Sequence, residues 1–474
     1  MIIVNKVKNM REEIIMPRVS DYNIYLPLKK SSDYLLIQGA KGSFDIVEPR
    51  IVDTLKNFEN KSELRNQIPQ EDLDVLLRRG YITELTEEDE FEFIRKLSEA
   101  INSRGRKMIN VTIIPTYNCN FRCEYCFERN LQKNAFEWLN EKISNEIVDA
   151  IFTQLVKYRE SGLVVDGIYL FGGEPLLKAN MEIVEYICKK AREMEVPIAC
   201  ISNGYDLDQY IDLIKKYNFK YVQITIDGIG EEHDKRRYLV GGQGTYNRIV
   251  SNISKALEQG VNIVLRSNIN KKNTVEILRL MDFYRESGWL EKDNFSYYFK
   301  STLKCYDEIG DAYSDVELMK ELTKVYEDNI EKFRFNSIYN GLSDKLSNML
   351  KNNTFAPMRS GYCGANMGMY TVDPFGDIYP CWDVLNDKDE VIGSVDISKG
   401  EFVFNESHDR WKERTVDKID DCKKCKYMLF CGGGCSAQAK VMNNDINRAF
   451  CDDFQFIFNE VAVDVCEEFL SQII

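Results

Sequence analysis

The chain has only two histidines among its 474 residues, His233 and His408, so it lacks the ligands of a histidine-rich zinc site. It has no apolar run long enough to cross a bilayer, and its N-terminal segment, with Lys6 and Arg11, has no signal-peptide apolar region. Its 62 Lys and Arg are outnumbered by 76 Asp and Glu, which leaves a formal net charge of -14. This balance argues against a basic nucleic-acid-binding face. We therefore expect neither membrane insertion nor nucleic-acid binding.

Composition is that of a globular protein, with 44% hydrophobic and 29% charged residues. The length allows about two to four domains. The 14 cysteines stand in a chain without an export signal, so we expect a cytoplasmic protein whose thiols stay reduced. In that setting, closely spaced Cys-x-x-Cys pairs indicate metal binding instead of disulfides.

Three of the cysteines, Cys119, Cys123 and Cys126, follow the apolar run 111–115 within one short loop. Three converging thiolates can hold three irons of a 4Fe-4S cube and leave the fourth iron open to a small ligand. An open iron could bind S-adenosylmethionine through its amino and carboxylate groups and cleave it reductively to an adenosyl radical. A zinc knuckle or an unused thiol cluster is the alternative interpretation of the loop alone.

A second motif, Gly172-Gly173-Glu174-Pro175, directly follows the apolar stretch 167–171. Paired glycines after a strand let the backbone approach a ligand, and a glutamate can accept hydrogen bonds from an ammonium group. Taken alone, the motif could be an ordinary strand-to-helix connector. Together with the cysteine loop 119–127, it resembles the radical S-adenosylmethionine enzymes. The resemblance covers residues 108 to 300 and continues through 202–204, 227–228 and 233–237.

This resemblance implies a set of cofactor contacts. Ser202 and Asn203 would line the ribose and methionine side of S-adenosylmethionine, and Arg237 or Arg266 would lie near its carboxylate, which a guanidinium can bind with two hydrogen bonds. Each of these residues could instead be an ordinary polar side chain. The cofactor-binding residues expected on this basis are Gly172, Gly173, Glu174, Pro175, Ser202, Asn203, Asp227, Arg237 and Arg266.

Strand-like and helical stretches alternate six times between residues 106 and 300, which predicts an α/β fold with a partial (β/α)6 barrel similar to a TIM barrel. All the motifs above stand at carboxyl ends of strands, where such barrels place their chemistry. The six predicted strands are 108–115, 167–171, 198–202, 221–227, 261–269 and 295–299. Bridging helices are expected over 301–360.

The C-terminal part, 361–474, carries eight further cysteines, seven of which, together with Gly376, resemble the SPASM extension of radical enzymes that act on ribosomally made peptides. The resemblance implies two auxiliary 4Fe-4S clusters, which brings the expected total to three. The distal cluster would be held by Cys422, Cys425, Cys431 and Cys451, and the nearer one by Cys363, Cys381 and Cys435. Cys305, a carboxylate or a substrate thiolate could supply the missing ligand of the nearer cluster. Cys188, Cys200 and Cys466 are expected to be small buried hydrophobic residues.

Residues 1–105 contain no cysteine and read as three short strands followed by helices and a short strand or wing at 81–83. This order resembles the winged-helix-like element with which peptide-modifying enzymes bind a leader sequence. A dimerisation or DNA-binding winged helix is the alternative, although the acidic segment 84–92 speaks against DNA. A leader would add a strand to an exposed sheet edge.

The expected function is that of a radical peptide maturase, resembling ranthipeptide-type enzymes, that forms a thioether between a cysteine sulfur and a carbon of another residue. Expected partners are a precursor peptide with a leader and an electron donor such as flavodoxin or ferredoxin. Three alternatives stay open at this point: formylglycine formation in a sulfatase, carbon-carbon crosslinking or epimerisation of a peptide, and an iron-sulfur electron carrier without radical chemistry. No catalytic acid or base is identified.

Overall fold

The computed structural model describes residues 17–58, 68–129, 136–302, 310–326 and 338–473. Cys305 and residues 61–67, where one of the N-terminal helices is expected from the sequence, lie outside these ranges. Within them the strands form a two-stranded, a three-stranded and a ten-stranded sheet. No described helix combines the length and the apolarity that a membrane span requires.

The N-terminal part is built on an antiparallel sheet in which β3 lies between β2 and β4. The short strand predicted at 81–83 is present as β5, which pairs with β1. The elements are β1 (Arg18–Val19), β2 (Asn23–Pro27), β3 (Tyr34–Gln38), β4 (Ser43–Val47), α1 (Pro49–Asn57), α2 (Gln70–Arg79), β5 (Ile82–Thr83) and α3 (Glu87–Gly105).

Helix α3 begins within the acidic segment 84–92, for which no helix is predicted from the sequence. The Thr86 side chain caps it by accepting a hydrogen bond from the Asp89 backbone N–H, and four acidic residues occupy its first turn. Negative charge is favourable there because the helix N-terminus carries a partial positive charge. The acidic run is therefore a helix start.

Six parallel strands follow, and each neighbours the next in the sheet. Their order confirms the predicted α/β fold with a parallel, barrel-like sheet, and their bounds differ from the predicted ones by zero to three residues at each end. The strands are β6 (Met108–Ile113), β7 (Val164–Leu170), β8 (Ile198–Ser202), β9 (Tyr221–Thr225), β10 (Ile263–Ile269) and β11 (Phe295–Ser301). The helices between them are α4 (Asn145–Glu160), α5 (Met181–Glu193), α6 (Leu207–Lys216), α7 (Glu231–Arg236), α8 (Tyr246–Glu258) and α9 (Glu276–Glu286).

The large sheet continues beyond the first barrel strand into the C-terminal part. β12 (Met369–Val372) pairs in parallel with β6, and three antiparallel strands extend the sheet from there. These are β13 (Asp377–Tyr379), β14 (Gly393–Asp396) and β15 (Glu401–Phe404). The cysteines on either side of β12 are thereby carried next to the barrel.

The remaining helices join the N-terminal and C-terminal parts. They are α10 (Asp315–Tyr326), α11 (Ile338–Asn352), α12 (Glu406–Lys412), α13 (Met428–Cys431), α14 (Ser436–Asn443) and α15 (Phe454–Ile473). Ile24, Leu26 and Ile37 of the small sheet share one buried apolar cluster with residues of α11 and α15, such as Leu346 and Phe458. The N-terminal sheet therefore packs against the C-terminal helices.

Candidate active site

The cysteine loop begins six residues after β6 and is attached to the segment that follows α7. Phe121 forms an isolated bridge with Leu239, and the Arg122 N–H donates to the Tyr238 carbonyl over 2.8 Å. The thiols of Cys119, Cys123 and Cys126 are partly buried. Burial raises the pKa of all three, so free thiolates are costly here, and bound iron would remove that cost by holding them deprotonated.

The predicted glycine turn lies directly against this loop. Gly172 has φ +124°, which glycine adopts readily, and a Cβ on Gly173 would lie 2.3 Å from the Asn118 carbonyl oxygen. The Glu174 N–H donates to that same carbonyl over 2.9 Å. Two glycines are therefore needed for the turn to pack against the residue that precedes Cys119.

The Glu174 side chain is 2% exposed and accepts three hydrogen bonds. The donors are the Leu176 N–H at 2.8 Å, the Ser202 hydroxyl at 2.7 Å and the Asn203 N–H at 2.6 Å. The structure thus brings together the two motifs that follow β7 and β8. Burial raises the pKa of Glu174 to about 7, against the effect of these hydrogen bonds.

Asp227, two residues after the end of β9, is fully buried in a polar network that reaches the cysteine loop. Tyr125, which lies between Cys123 and Cys126, donates its hydroxyl to the Asp227 carboxylate, and it accepts from Arg237 at 2.7 Å and from Asn268 at 3.0 Å. The Asn268 N–H donates to Asp227 Oδ1 over 2.7 Å. The network fixes the loop relative to β9 and β10.

Sequence reasoning missed Tyr125 and Asn268. The position of Tyr125 inside the cysteine motif was an available signal. Arg237 is expected from the sequence to lie near the cofactor carboxylate. In the structure its guanidinium donates to the hydroxyl of Tyr125, which holds the cysteine loop. Arg266, at the middle of β10, donates to Asn268 Oδ1 over 2.8 Å and faces the same cavity.

A cavity of about 470 Å³ lies between the cysteine loop and the strand ends. Its walls contain all the predicted cofactor residues except Pro175 and Asp227. The opposite wall comes from Tyr298 and Lys300 of β11, from Thr302 directly after it, and from Trp382 and Asp383 of the C-terminal part. Such a volume is typical of a small-molecule site. The C-terminal part therefore helps to enclose the cavity.

Trp382 and Asp383 directly follow Cys381, one of the three cysteines assigned to the nearer auxiliary cluster. Cys381 is buried, and its pKa is raised by burial and by the neighbouring Asp383, Cys363 and Cys435. Its sulfur lies 3.9 Å from Asp383 Oδ2. The structure thus brings this group of three cysteines together, with a carboxylate between it and the cavity.

The four cysteines assigned to the distal cluster also lie together. Burial, together with the nearby Cys431, Cys425 and Cys451, raises the pKa of Cys422 to about 12. In the turn before Cys435, Gly434 has φ +74°, and a Cβ there would lie 1.8 Å from the Phe450 carbonyl oxygen. The glycine lets the turn approach the segment that carries Cys451.

Three cysteines outside these sets, Cys188, Cys200 and Cys466, are 0%, 0% and 5% exposed, which confirms them as buried core residues. Among the described side chains, no three His, Cys, Asp or Glu are spaced to hold a single metal ion. A cube distributes its ligands around four irons instead of one ion, so the three cysteine groups fit clusters better than zinc.

We expect the affinity for S-adenosylmethionine to fall as the pH drops below about 7, because protonated Glu174 cannot pair with the cofactor's ammonium group. Between about pH 8 and pH 6 the dissociation constant should rise about tenfold, as titration calorimetry of the iron-loaded enzyme would measure. Glu174→Gln should bind S-adenosylmethionine weakly at both pH values.

Asp373 provides the control. It is also fully buried, its pKa is raised to about 6 by burial, and it lies outside the cavity wall, so Asp373→Asn should keep the wild-type pH dependence of binding. An unchanged profile in Glu174→Gln would contradict this assignment.

Comparison with known proteins finds similarity to proteins that mature sulfatases or take part in bacteriocin biosynthesis. A Clostridium novyi (strain NT) relative described as a cysteine-type anaerobic sulfatase-maturating enzyme is 25% identical over 380 residues, or 75% of this chain and 95% of the relative. The antilisterial bacteriocin subtilosin biosynthesis protein AlbA of Bacillus subtilis (strain 168) is 23% identical over 336 residues, or 69% of this chain and 66% of AlbA.

Two solved structures share the fold. Native anSMEcpe with bound AdoMet and Cp18Cys peptide has a TM-score of 0.58 and 18% identity, covering 77% of this chain and 99% of that one. Streptococcus suis SuiB bound to precursor peptide SuiA has a TM-score of 0.50 and 14% identity, covering 92% of this chain and 98% of that one.

Residues 113–284 match the Radical SAM superfamily, and they include the cysteine loop and the strand-end motifs around the cavity. Enzymes of this superfamily bind a 4Fe-4S cluster and S-adenosylmethionine. An iron-sulfur electron carrier without radical chemistry would not need the strand-end motifs, so this alternative is no longer considered. This chain therefore contains a Radical SAM domain over residues 113–284.

Proposed function

We propose that this enzyme matures a ribosomally made precursor peptide by joining a cysteine sulfur to a carbon of another residue. One observation carries the proposal. The group of three cysteines, Cys363, Cys381 and Cys435, adjoins the cofactor cavity through Trp382 and Asp383. A peptide in the cavity would therefore lie between the radical source and this group.

Cys119, Cys123 and Cys126 would hold the barrel cluster, which supplies the electron that cleaves S-adenosylmethionine. Glu174 would accept the cofactor's ammonium group, while its hydrogen bonds fix Ser202 and the Asn203 backbone beside it. Arg266 is the candidate partner of the cofactor carboxylate, because Arg237 contacts Tyr125. The Asp227 network would keep the loop in place.

The nearer auxiliary cluster, like the barrel cluster, would be held by only three cysteines. A cluster held by three cysteines offers a position for a substrate thiolate and an acceptor for one electron. Asp383 faces this group from the cavity wall, so the carboxylate foreseen as a possible further ligand is present here. Cys305, the other candidate, lies outside the described residues.

The proposed reaction balances as follows. S-adenosylmethionine bound in the cavity would supply the adenosyl radical that accepts one hydrogen atom from a peptide carbon, which gives 5'-deoxyadenosine. The cysteine thiol loses its proton, the carbon-sulfur bond forms, and one electron leaves to an auxiliary cluster. The peptide loses two hydrogen atoms in total, and the methionine formed from the cofactor is released.

Formylglycine formation in a sulfatase is the second candidate, since the sulfatase-maturating relative is matched over 95% of its length. The N-terminal sheet and its helices favour a peptide with a leader instead. They precede the radical domain and leave β4 as an edge strand of the described sheet. We propose β4 as the site where a leader adds a strand.

The remaining parts of the proposal concern the cellular setting. A low-potential donor such as flavodoxin or ferredoxin would reduce the barrel cluster, and the cysteine content fits a cytoplasmic enzyme.

Carbon-carbon crosslinking is a related alternative. It would use the same peptide radical, and would differ only in the group with which that radical forms the new bond.

The test uses a cysteine-containing precursor peptide, to be sought in the reading frames that neighbour the gene of this chain. Adding it should change the electron paramagnetic resonance spectrum of one auxiliary cluster and yield a peptide lighter by two hydrogens, with a thioether in its fragment spectrum. Replacing the acceptor cysteine by serine should remove both changes while 5'-deoxyadenosine still forms.

Two results would contradict the proposal. One is a peptide-bound structure in which Cys305 or another side chain occupies the fourth ligand position, which would exclude direct binding of the substrate thiolate. The other is formylglycine formation in a sulfatase peptide together with an unmodified precursor, which would favour the second candidate.

A further inference from the structure

Two cations lie buried in the C-terminal part beside the cysteine groups, and no sequence motif pointed to them. Lys412 and Arg414 are each 1% exposed. No carboxylate among the described residues lies within ion-pair distance of either side chain. Fully buried lysine and arginine are rare unless they are paired, because burying a lone charge is costly.

Lys412 ends α12 and points toward the nearer cysteine group. Its ammonium donates to the Ala365 and Met369 carbonyls over 3.0 Å and 2.7 Å, and it lies 4.5 Å from the centre of the Tyr370 ring. These partners carry no full negative charge. The anionic groups that act on it are the thiolates of Cys363 and Cys381.

Arg414 lies between the two auxiliary cysteine groups. It donates to the Gly433 and Gly434 carbonyls, both over 3.1 Å, within the turn that links Cys431 of the distal group to Cys435 of the nearer one. It also donates to the Ile446 and Arg448 carbonyls ahead of Cys451. The thiolates that act on its charge belong to both groups: Cys422, Cys435, Cys363 and Cys431.

We propose that Lys412 and Arg414 are the counter-cations of the auxiliary clusters, Lys412 serving the nearer cluster and Arg414 both. The proposal rests on the cluster assignment made under the proposed function, but not on the thioether product. These cations have no carboxylate partner among the described residues. Thiolate-ligated clusters would supply the missing negative charge. A cation held nearby stabilises the reduced cluster, which has one more negative charge, so it raises the cluster's reduction potential. Both residues are positioning residues that act through the clusters.

The test is a redox titration of the iron-loaded enzyme, followed by electron paramagnetic resonance. In Lys412→Met, the ratio of reduced to oxidised nearer cluster at a fixed potential should fall by at least roughly tenfold, as expected for removal of one charge within about 12 Å at an effective dielectric constant of about 20. Lys412→Arg keeps the charge and should stay within about twofold of wild type. Arg414→Met should lower the ratio for both auxiliary clusters, and Arg414→Lys should restore most of it.

Arg410→Met is the matched control, because Arg410 stands on the same helix but already pairs with Glu390 over 2.6 Å. It should leave both potentials unchanged. Full iron content with unshifted potentials in Lys412→Met and Arg414→Met would overturn the proposal, as would equal loss of iron from Lys412→Met and Lys412→Arg. Iron loss from the Met variant alone would support it. Wild-type enzyme with only about four irons would instead refute the underlying cluster assignment.

Discussion

Replacing Cys119, Cys123 and Cys126 together by alanine should abolish cleavage of S-adenosylmethionine. The iron content should fall from about twelve to about eight per chain, because three independent cubes of four irons are proposed. The three thiols line the cofactor cavity, whereas the auxiliary groups are built from separate C-terminal segments. The loss should therefore be confined to one cluster.

Iron analysis and 5'-deoxyadenosine formation after chemical reduction would measure both effects. Cys188→Ala combined with Cys466→Ala is the control, since both cysteines are buried and neither belongs to any of the three groups. The control should retain iron and cleavage, with some loss of stability from the vacated core volume. Undiminished 5'-deoxyadenosine in the triple variant would show that the loop does not hold the catalytic cluster.

The sequence predicts the barrel well because its signals are local. Apolar runs such as 198–202 end at polar motifs. The run predicts a buried strand, and the motif predicts where that strand ends. Helix α3 was missed because its acidic first turn hides an amphipathic pattern that begins only beyond it. The pairing of β12 with β6 joins residues about 260 positions apart, which no local pattern records.

The candidate site likewise combines local patterns, which the sequence reveals, with long-range contacts, which it does not. Cysteine spacing and the Gly-Gly-Glu-Pro turn are local patterns, and the structure brings them together around one cavity. The contacts of Tyr125 with Asp227 and Asn268 depend on how three strand ends meet. Lys412 and Arg414 could not be found from sequence, because a lysine or arginine at the end of a helix is ordinarily a solvated charge.

Changing the exposed edge of β4 should weaken precursor binding by at least tenfold while leaving peptide-independent cleavage of S-adenosylmethionine intact. Ile46 on this strand is 40% exposed, and Ile46→Lys would place a charge where a leader strand is proposed to pair. Val403→Lys is the matched control. Val403 is 49% exposed on β15, the edge strand at the other end of the large sheet. Titration calorimetry with the precursor would compare the three proteins.

Point variants are preferable here to removal of residues 1 to about 105. Ile24, Leu26 and Ile37 pack against α11 and α15, so deletion would expose apolar surface near the distal cysteine group and confuse lost binding with lost stability. Hydrogen exchange gives an independent readout, because strand addition should slow exchange of the amides at 43–47 when the precursor binds. The leader contributes only by raising the local peptide concentration, so excess peptide should partly rescue Ile46→Lys. Equal affinity in Ile46→Lys and Val403→Lys, with unprotected amides in β4, would remove this strand from the leader site.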